Sequence, residues 1–371
     1  MRVTVTLFAL YCWCTAYGES AKGRITTWNL EWFPNGSPKE LAVDAQNVRI
    51  RAAASVVREL DPDILLLQEV KNYDACVRLA DAIQPGFYQI AICSAFRDTA
   101  QPFLAKQQIA ILAKYPAQAA WAEPWKSMEG IDPPRGFAFA WFKIGSADIG
   151  VYSVHLKSNL VRVRDKDAEN AKNIRKREIA AGQLLAHMHD MIGTAIPSIK
   201  VFIVGGDFNT NKDQDLFSKE DSLTKLMGSG FRNCMGGLPF ADRITHPARR
   251  QYPDATFDYL LGKNVTLGKP IITKSGVSDH LPVTCDITIA PTLLQPVVAK
   301  TSSPATDEPQ TVTLTQPVTI QIPYGKTVLP RGSRLQTVSR TNNSVVVRYL
   351  DGTYVIPMSS TDMKQAAELQ Q

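Results

Sequence analysis

Histidine and cysteine are both scarce, with five and six residues in a chain of 371. No two cysteines stand at the CxxC spacing of a zinc or redox motif, which excludes a site built on such local pairs. No apolar run is long enough for a bilayer-spanning helix and no internal repeat is visible. The net charge of +6 is mild, enough to favour anionic partners without naming one. What remains, 44% hydrophobic and 20% charged residues, is the make-up of a folded globular chain. Its length suits one large domain plus a small one, or two of middling size.

Residues 1–18 carry Arg2, an apolar run from Val3 to Ala16, and small residues at Ala16 and Gly18. Positive start, short apolar stretch and small-residue end together predict a secretory signal peptide, so the expected location is secreted or periplasmic. Four cysteines lie beyond it: Cys76, Cys93, Cys234 and Cys285. An even number in an exported chain fits disulfides. Of the three pairings, Cys76 with Cys93 and Cys234 with Cys285 is preferred, because the first closes a short loop between a helix and the next strand; the others stay open at this point.

From Arg24 to about Ile289, short apolar runs alternate with helical patterns, and several strands follow one another without helices. That predicts a mixed, layered α/β architecture over 24–289. Residues 291–310, rich in Pro, Ser and Thr and without periodicity, read as a linker. Beyond it, over 311–365, alternating segments and an Asp-Gly turn read as about five short strands.

Six strand-like runs end in, or enclose, polar groups: TTWNLEWF (26–33), LLLQEV (65–70), VYSVHLKS (151–158), VGGDFNT (204–210), TFDYLL (256–261) and SDHLPV (278–283). A polar group beside a core costs free energy unless it is paired, so six such placements imply convergence at one pocket. Asn29, Glu69 and Asp279 supply hard oxygen ligands suited to Mg²⁺ or Mn²⁺. His280 is the candidate general base, with Asp258 placed to fix its tautomer. Asp207, Asn209 and His155 add a carboxylate, a carboxamide and an imidazole at neighbouring strand ends. Arg135 and Lys157 are candidate anion-binding cations, while His187, His189 and His246 read as surface or structural.

In order and spacing these motifs resemble the endonuclease/exonuclease/phosphatase superfamily, with its DNase I-like fold. The resemblance implies a four-layered α/β sandwich, two facing sheets flanked by helices with the site at one edge, and makes Glu69 the principal metal ligand. It further implies that Asp207 orients a water, that Asn209 hydrogen-bonds a phosphate oxygen, that His155 assists on the phosphate side, and that Arg135 and Lys157 complete a phosphate clamp. The segment 311–365 resembles a bacterial SH3-like β-barrel. The GGDFNT form and His155 point towards DNase I-like secreted branches and away from the abasic-site repair branch.

The substrate implied is a phosphodiester in DNA or RNA; the alternatives are a sphingomyelin or phosphoinositide headgroup, or a non-catalytic surface-binding protein. Residues 162–178 hold seven Lys/Arg against four Asp/Glu and could track a nucleic-acid backbone or form an ordinary solvated helix face.

Overall fold

The computed structural model describes residues 20–97, 103–161, 163–249, 252–290, 311–322, 325–329, 331–340, 343–349 and 352–363. The expected signal peptide and linker lie outside these residues. The described chain divides into two compact units, 20–192 with 198–290, and 193–197 with 311–363.

In chain order the first unit comprises β1 (Ala21–Phe33), α1 (Val43–Leu60), β2 (Ile64–Val70), α2 (Tyr73–Ile83), β3 (Gln89–Cys93), β4 (Gln108–Ala113), β5 (Ala119–Pro124), β6 (Gly136–Ile144) and β7 (Ala147–His155). It continues with α3 (Lys166–Asp190), β8 (Val201–Asp207), α4 (Ser222–Gly228), β9 (Arg232–Asn233), β10 (Asp258–Lys263), β11 (Thr266–Leu267), β12 (Ile271–Ile272) and β13 (Val283–Ile289). Seven strands form one sheet, ordered β11-β13-β1-β2-β4-β3 with β12 also on β13; six form the other, ordered β5-β6-β7-β8-β10-β9. This mixed α/β architecture fits the DNase I-like fold.

Helix α1 buries Ile50, Ala53, Ala54, Val57 and Leu60, a three-and-four spacing that gives one apolar face, and ends where Asp61 turns left-handed. Its face and that of α2 pack on Leu65, Leu67, Ala110 and Leu112 of the first sheet. Asn72 caps α2 by accepting from the Ala75 N–H at 3.0 Å.

Two glycines allow close approach beside the candidate site, Gly205 to the facing sheet and Gly206 to the neighbouring strand β7. A Cβ on Gly205 would meet Leu66 Cδ1 at 2.5 Å, and one on Gly206, at φ +153°, would meet the Val154 carbonyl oxygen at 1.9 Å. Gly206→Ala is therefore expected to lower Tm sharply, because rigid backbone must give way. Gly182→Ala, in the open on α3, should stabilise by about 0.5–1 kcal/mol. Thermal melts of the two variants check this; equal melting points would contradict the close-approach role of Gly206.

All four described cysteines are free thiols, yet they stand in two couples. Cys76 and Cys93 share a hydrogen bond that raises the Cys76 thiol pKa, and Cys234 and Cys285 do the same with Cys234 raised. The second couple joins β13 of one sheet to the end of β9 in the other. Oxidation with glutathione disulfide is expected to close these two bonds, the first stabilising by about 3 kcal/mol, the figure for a loop of about 15 residues. Peptide mapping checks the pairing; crossed pairs, or thiols that persist in oxidant, would contradict it.

The second unit forms a four-stranded antiparallel sheet and a separate two-stranded ladder. Val312, Leu314, Leu335, Val345, Val347 and Ile356 are among its core residues.

Candidate active site

Strand register assembles the site. Parallel pairing of β7 with β8 sets His155 opposite Asp207, and antiparallel pairing of β8 with β10 sets Asp207 opposite Asp258. Three chemical groups thus form one row across the second sheet. In the first sheet Asn29 pairs with Gln68, and the register shifts between Gln68 and Val70. Glu69 occupies that bulge with φ +60° and is re-aimed by it. Glu31, Trp32, Arg135 and Asn209 are also left-handed. Such costly conformations in non-glycine residues gather where surrounding structure enforces a working geometry.

Asp207 is the centre. Its Oδ2 lies 3.0 Å from Asn29 Nδ2, 3.5 Å from His155 Nε2 and 3.8 Å from His280 Nε2, while its Oδ1 accepts from the Asn209 N–H at 2.8 Å. Glu69 Oε1 stands 3.7 Å from His155 Nε2, and its Oε2 accepts from the Trp32 N–H at 3.0 Å. His280 Nδ1 pairs with Asp258 Oδ2 at 2.7 Å. His155, Asp207, Asp258 and His280 are all buried.

The two imidazoles differ in charge. Burial, then the positive charges of Arg135, His280 and Lys157, hold the His155 pKa well below its ordinary value, so His155 is neutral. Burial alone would lower the His280 pKa, but Asp258, Asp207 and Asp279 together raise it to about 10. As the structure stands, His280 is the charged imidazole, whereas a base must be neutral. Burial also lifts the Asp207 pKa above the usual carboxylate range.

Buried and without a hydrogen-bond partner at this centre are His155 Nδ1 and Asp258 Oδ1, with His246 Nδ1 nearby. Unsatisfied polar atoms in one place suit a site that completes its bonding with a ligand. Asp207, Asp258 and His280 offer ligand atoms all within 4.8 Å of one another. The Asp258–His280 hydrogen bond already uses one member's oxygen and the other's Nδ1, so the carboxylates of Glu69 and Asp207, sharing the Asn29 amide, are the better hard-oxygen pair for a divalent cation.

Asn29 stands between the two carboxylates. Its amide nitrogen faces both carboxylates and its Oδ1 accepts from the Glu31 N–H at 3.0 Å, so in this arrangement it is a bridging donor. Asp279 stands at the mouth, 3.4 Å from Arg249 Nη1 and 3.9 Å from His246 Nε2. Although burial opposes it, those groups and His280 hold its pKa below the ordinary carboxylate value.

Arg135 donates to the carbonyls of His155 and Leu156, at 2.9 and 2.6 Å, and so holds the end of β7 while placing positive charge near Glu69 and Asp207. Lys157 is half-buried; burial, Lys176 and Arg135 lower its pKa to about 8. Its ammonium donates to the Ser158 carbonyl at 2.9 Å. Two arginines of the basic segment are engaged within the protein. Arg177 is fully buried against Glu220, and Arg175 pairs with Glu129 at 2.8 Å and Glu178 at 3.5 Å.

Several site residues carry no sequence signal of their own. His246, expected at the surface or in a structural role, lies ring to ring with His280 at 4.9 Å. Arg249 bridges Glu31 and Asp279. Thr245 Oγ1 accepts from the N–H groups of Phe257 and Asp258, and Ser278 ties the Asn29 carbonyl to the His280 N–H. Of His246, Arg249, Thr245 and Ser278, Ser278 alone belonged to a motif visible beforehand. His187, by contrast, takes a structural place, 2.9 Å from the Tyr152 hydroxyl.

The sequence model of the Endonuclease/Exonuclease/phosphatase family matches residues 26–280. No curated protein matches the sequence. Among solved structures, the endonuclease/exonuclease/phosphatase from Beutenbergia cavernae DSM 12333 is similar with a TM-score of 0.54 at 14% identity, covering 91% of this chain and 98% of that one. An endonuclease/exonuclease/phosphatase family protein from Bacteroides thetaiotaomicron gives 0.51 at 13% identity, covering 73% and 99%. At such identities the likeness concerns the fold alone.

Proposed function

Because this chain belongs to the Endonuclease/Exonuclease/phosphatase family, we propose that it is a divalent-metal-dependent phosphodiesterase whose substrate is a nucleic acid. The observation that carries this reading is the meeting of the buried row His155, Asp207 and Asp258 with His280 and with Glu69 from the facing sheet. Glu69 and Asp207, with Asp279 at the mouth, would hold Mg²⁺ or Mn²⁺. Bound there, the cation would neutralise charge on a non-bridging phosphate oxygen and would offset the carboxylate field that keeps His280 protonated.

The chain's own groups do the rest. Asp207 orients the attacking water, and His280, its tautomer fixed by Asp258, takes the proton. His155 stands on the phosphate side as a neutral hydrogen-bonding group, and Asn209 contacts a phosphate oxygen. Arg135, Lys157 and Arg249 ring the acidic centre with positive charge suited to a polyanion. The segment 311–363 is read as an SH3-like barrel, and the protein as secreted or periplasmic, where the two cysteine couples can oxidise. No helix among the described residues is long and apolar enough to cross a membrane.

The test runs plasmid and oligonucleotide cleavage beside hydrolysis of liposomal sphingomyelin and phosphoinositide, each with Mg²⁺ and with EDTA. Cation-dependent cleavage of nucleic acid is expected. Headgroup hydrolysis with no cleavage of DNA or RNA would overturn the substrate.

A further inference from the structure

A groove of about 390 Å³ opens beside the site and is lined by Trp32, Arg97, Phe103, Leu104, Lys106 and Arg135, among others. It is continuous with the catalytic row. The Trp32 N–H is bonded to Glu69, and Arg135 is bonded to the His155 carbonyl.

The far wall is built rather than loose. Arg97 and Leu104 pair as a β-bridge. Beneath them Gln108, 1% exposed, spends its whole amide on the two arms. Its Oε1 accepts from the Ser94 hydroxyl at 2.7 Å and the Phe96 N–H at 2.8 Å, and its Nε2 donates to the carbonyls of Phe96 and Ala105 at 2.9 and 2.5 Å. On this clamped support Phe103 is 71% exposed and Leu104 55%.

The lining combines aromatic surface with cations, and no carboxylate lines the groove among the described residues. The larger depression, lined in part by Leu281, by contrast mixes Asp242 and Asp254 with Lys269 and Lys274. Aromatic faces beside guanidinium and ammonium groups suit a flat base joined to phosphates. A paired base has both faces covered by its neighbours, whereas an unpaired one offers a free face.

We propose that the groove between Trp32 and Phe103 is a stacking subsite for an unpaired nucleotide flanking the scissile phosphodiester. The inference rests on the nucleic-acid reading above and adds that the substrate is single-stranded or frayed at this position.

The experiment compares two single-stranded oligonucleotides, one intact and one with an abasic spacer beside the cleaved bond, cut by wild type, Phe103→Ala, Phe103→Leu and Phe103→Trp. In wild type, kcat/KM is expected to favour the intact strand by roughly 5- to 150-fold, the range of one base–aromatic stack. That ratio should fall to near one in Phe103→Ala and Phe103→Leu and return in Phe103→Trp. Equal cleavage of both strands by wild type, or a ratio unmoved by Phe103→Ala, would overturn the subsite while leaving the nuclease reading intact. Restoration of the ratio by leucine would also overturn it, since an apolar contact then suffices. If no oligonucleotide is cut but phospholipid vesicles are hydrolysed, and Phe103→Ala loses vesicle binding, the same wall is a membrane contact and both readings fall.

Discussion

Replacing His280 with alanine is expected to lower kcat for phosphodiester cleavage by roughly 10²–10⁴-fold, the usual contribution of a positioned proton-transfer group. The expectation rests on the 2.7 Å Asp258–His280 pair and on the 3.8 Å approach of His280 Nε2 to Asp207. Asp258→Asn should act in the same direction but more weakly, because an amide still fixes the ring while losing the charge that supports it. The alkaline and acid limbs of the pH–rate profile separate proton transfer from simple loss of packing. An unchanged profile in His280→Ala would remove His280 from the proton path. His246→Ala should move the profile far less, since His246 meets His280 ring to ring and Asp279 only at 3.9 Å.

Arg177→Ala is expected to destabilise the first unit by about 3–5 kcal/mol, the cost of leaving one member of a buried ion pair without its partner. Both members are at most 1% exposed in their side chains. The guanidinium donates to Glu220 Oε1 and Oε2 at 2.9 and 2.5 Å, to the Lys157 carbonyl at 2.9 Å and to Asn159 Oδ1 at 2.8 Å. Asn159 in turn donates to the Asn209 carbonyl at 2.5 Å, so the pair also steadies a site residue. Urea melts measure the loss. Replacing both partners, Arg177→Met with Glu220→Leu, should recover most of it, because no uncompensated charge then remains. A single variant within about 1 kcal/mol of wild type, the range of exposed pairs, would contradict this account.

The strands that build the site were readable because burial demands continuous apolar runs. The LLLQEV run falls within β2, Ile64–Val70, and β8 extends into the VGGDFNT run to carry Asp207 at its end. Strand β5, the half-buried AAWAEP, went unread since no sustained alternation or apolar run marks it. The row of His155, Asp207 and Asp258 could be expected to converge but not to align, since register is a property of strand pairing. Arg177 shows the limit of reading charge locally. Within RVRDKDAENAKNIRKRE it looks like its neighbours, and only α3 packing against the segment around Glu220 reveals it as interior. Arg249 and Glu31 are 218 positions apart, and no pattern within either segment foretells their 2.9 Å contact.

Cation binding at the catalytic row tests the account most directly. Mn²⁺ binding, followed by the loss of the free-ion paramagnetic resonance signal and paired with turnover of a phosphodiester, should be clear in wild type. It should weaken strongly in Glu69→Gln and Asp207→Asn, with turnover lost in both although their melting points show folded protein. Undiminished turnover in EDTA, or Mn²⁺ binding unaffected by both substitutions, would contradict it.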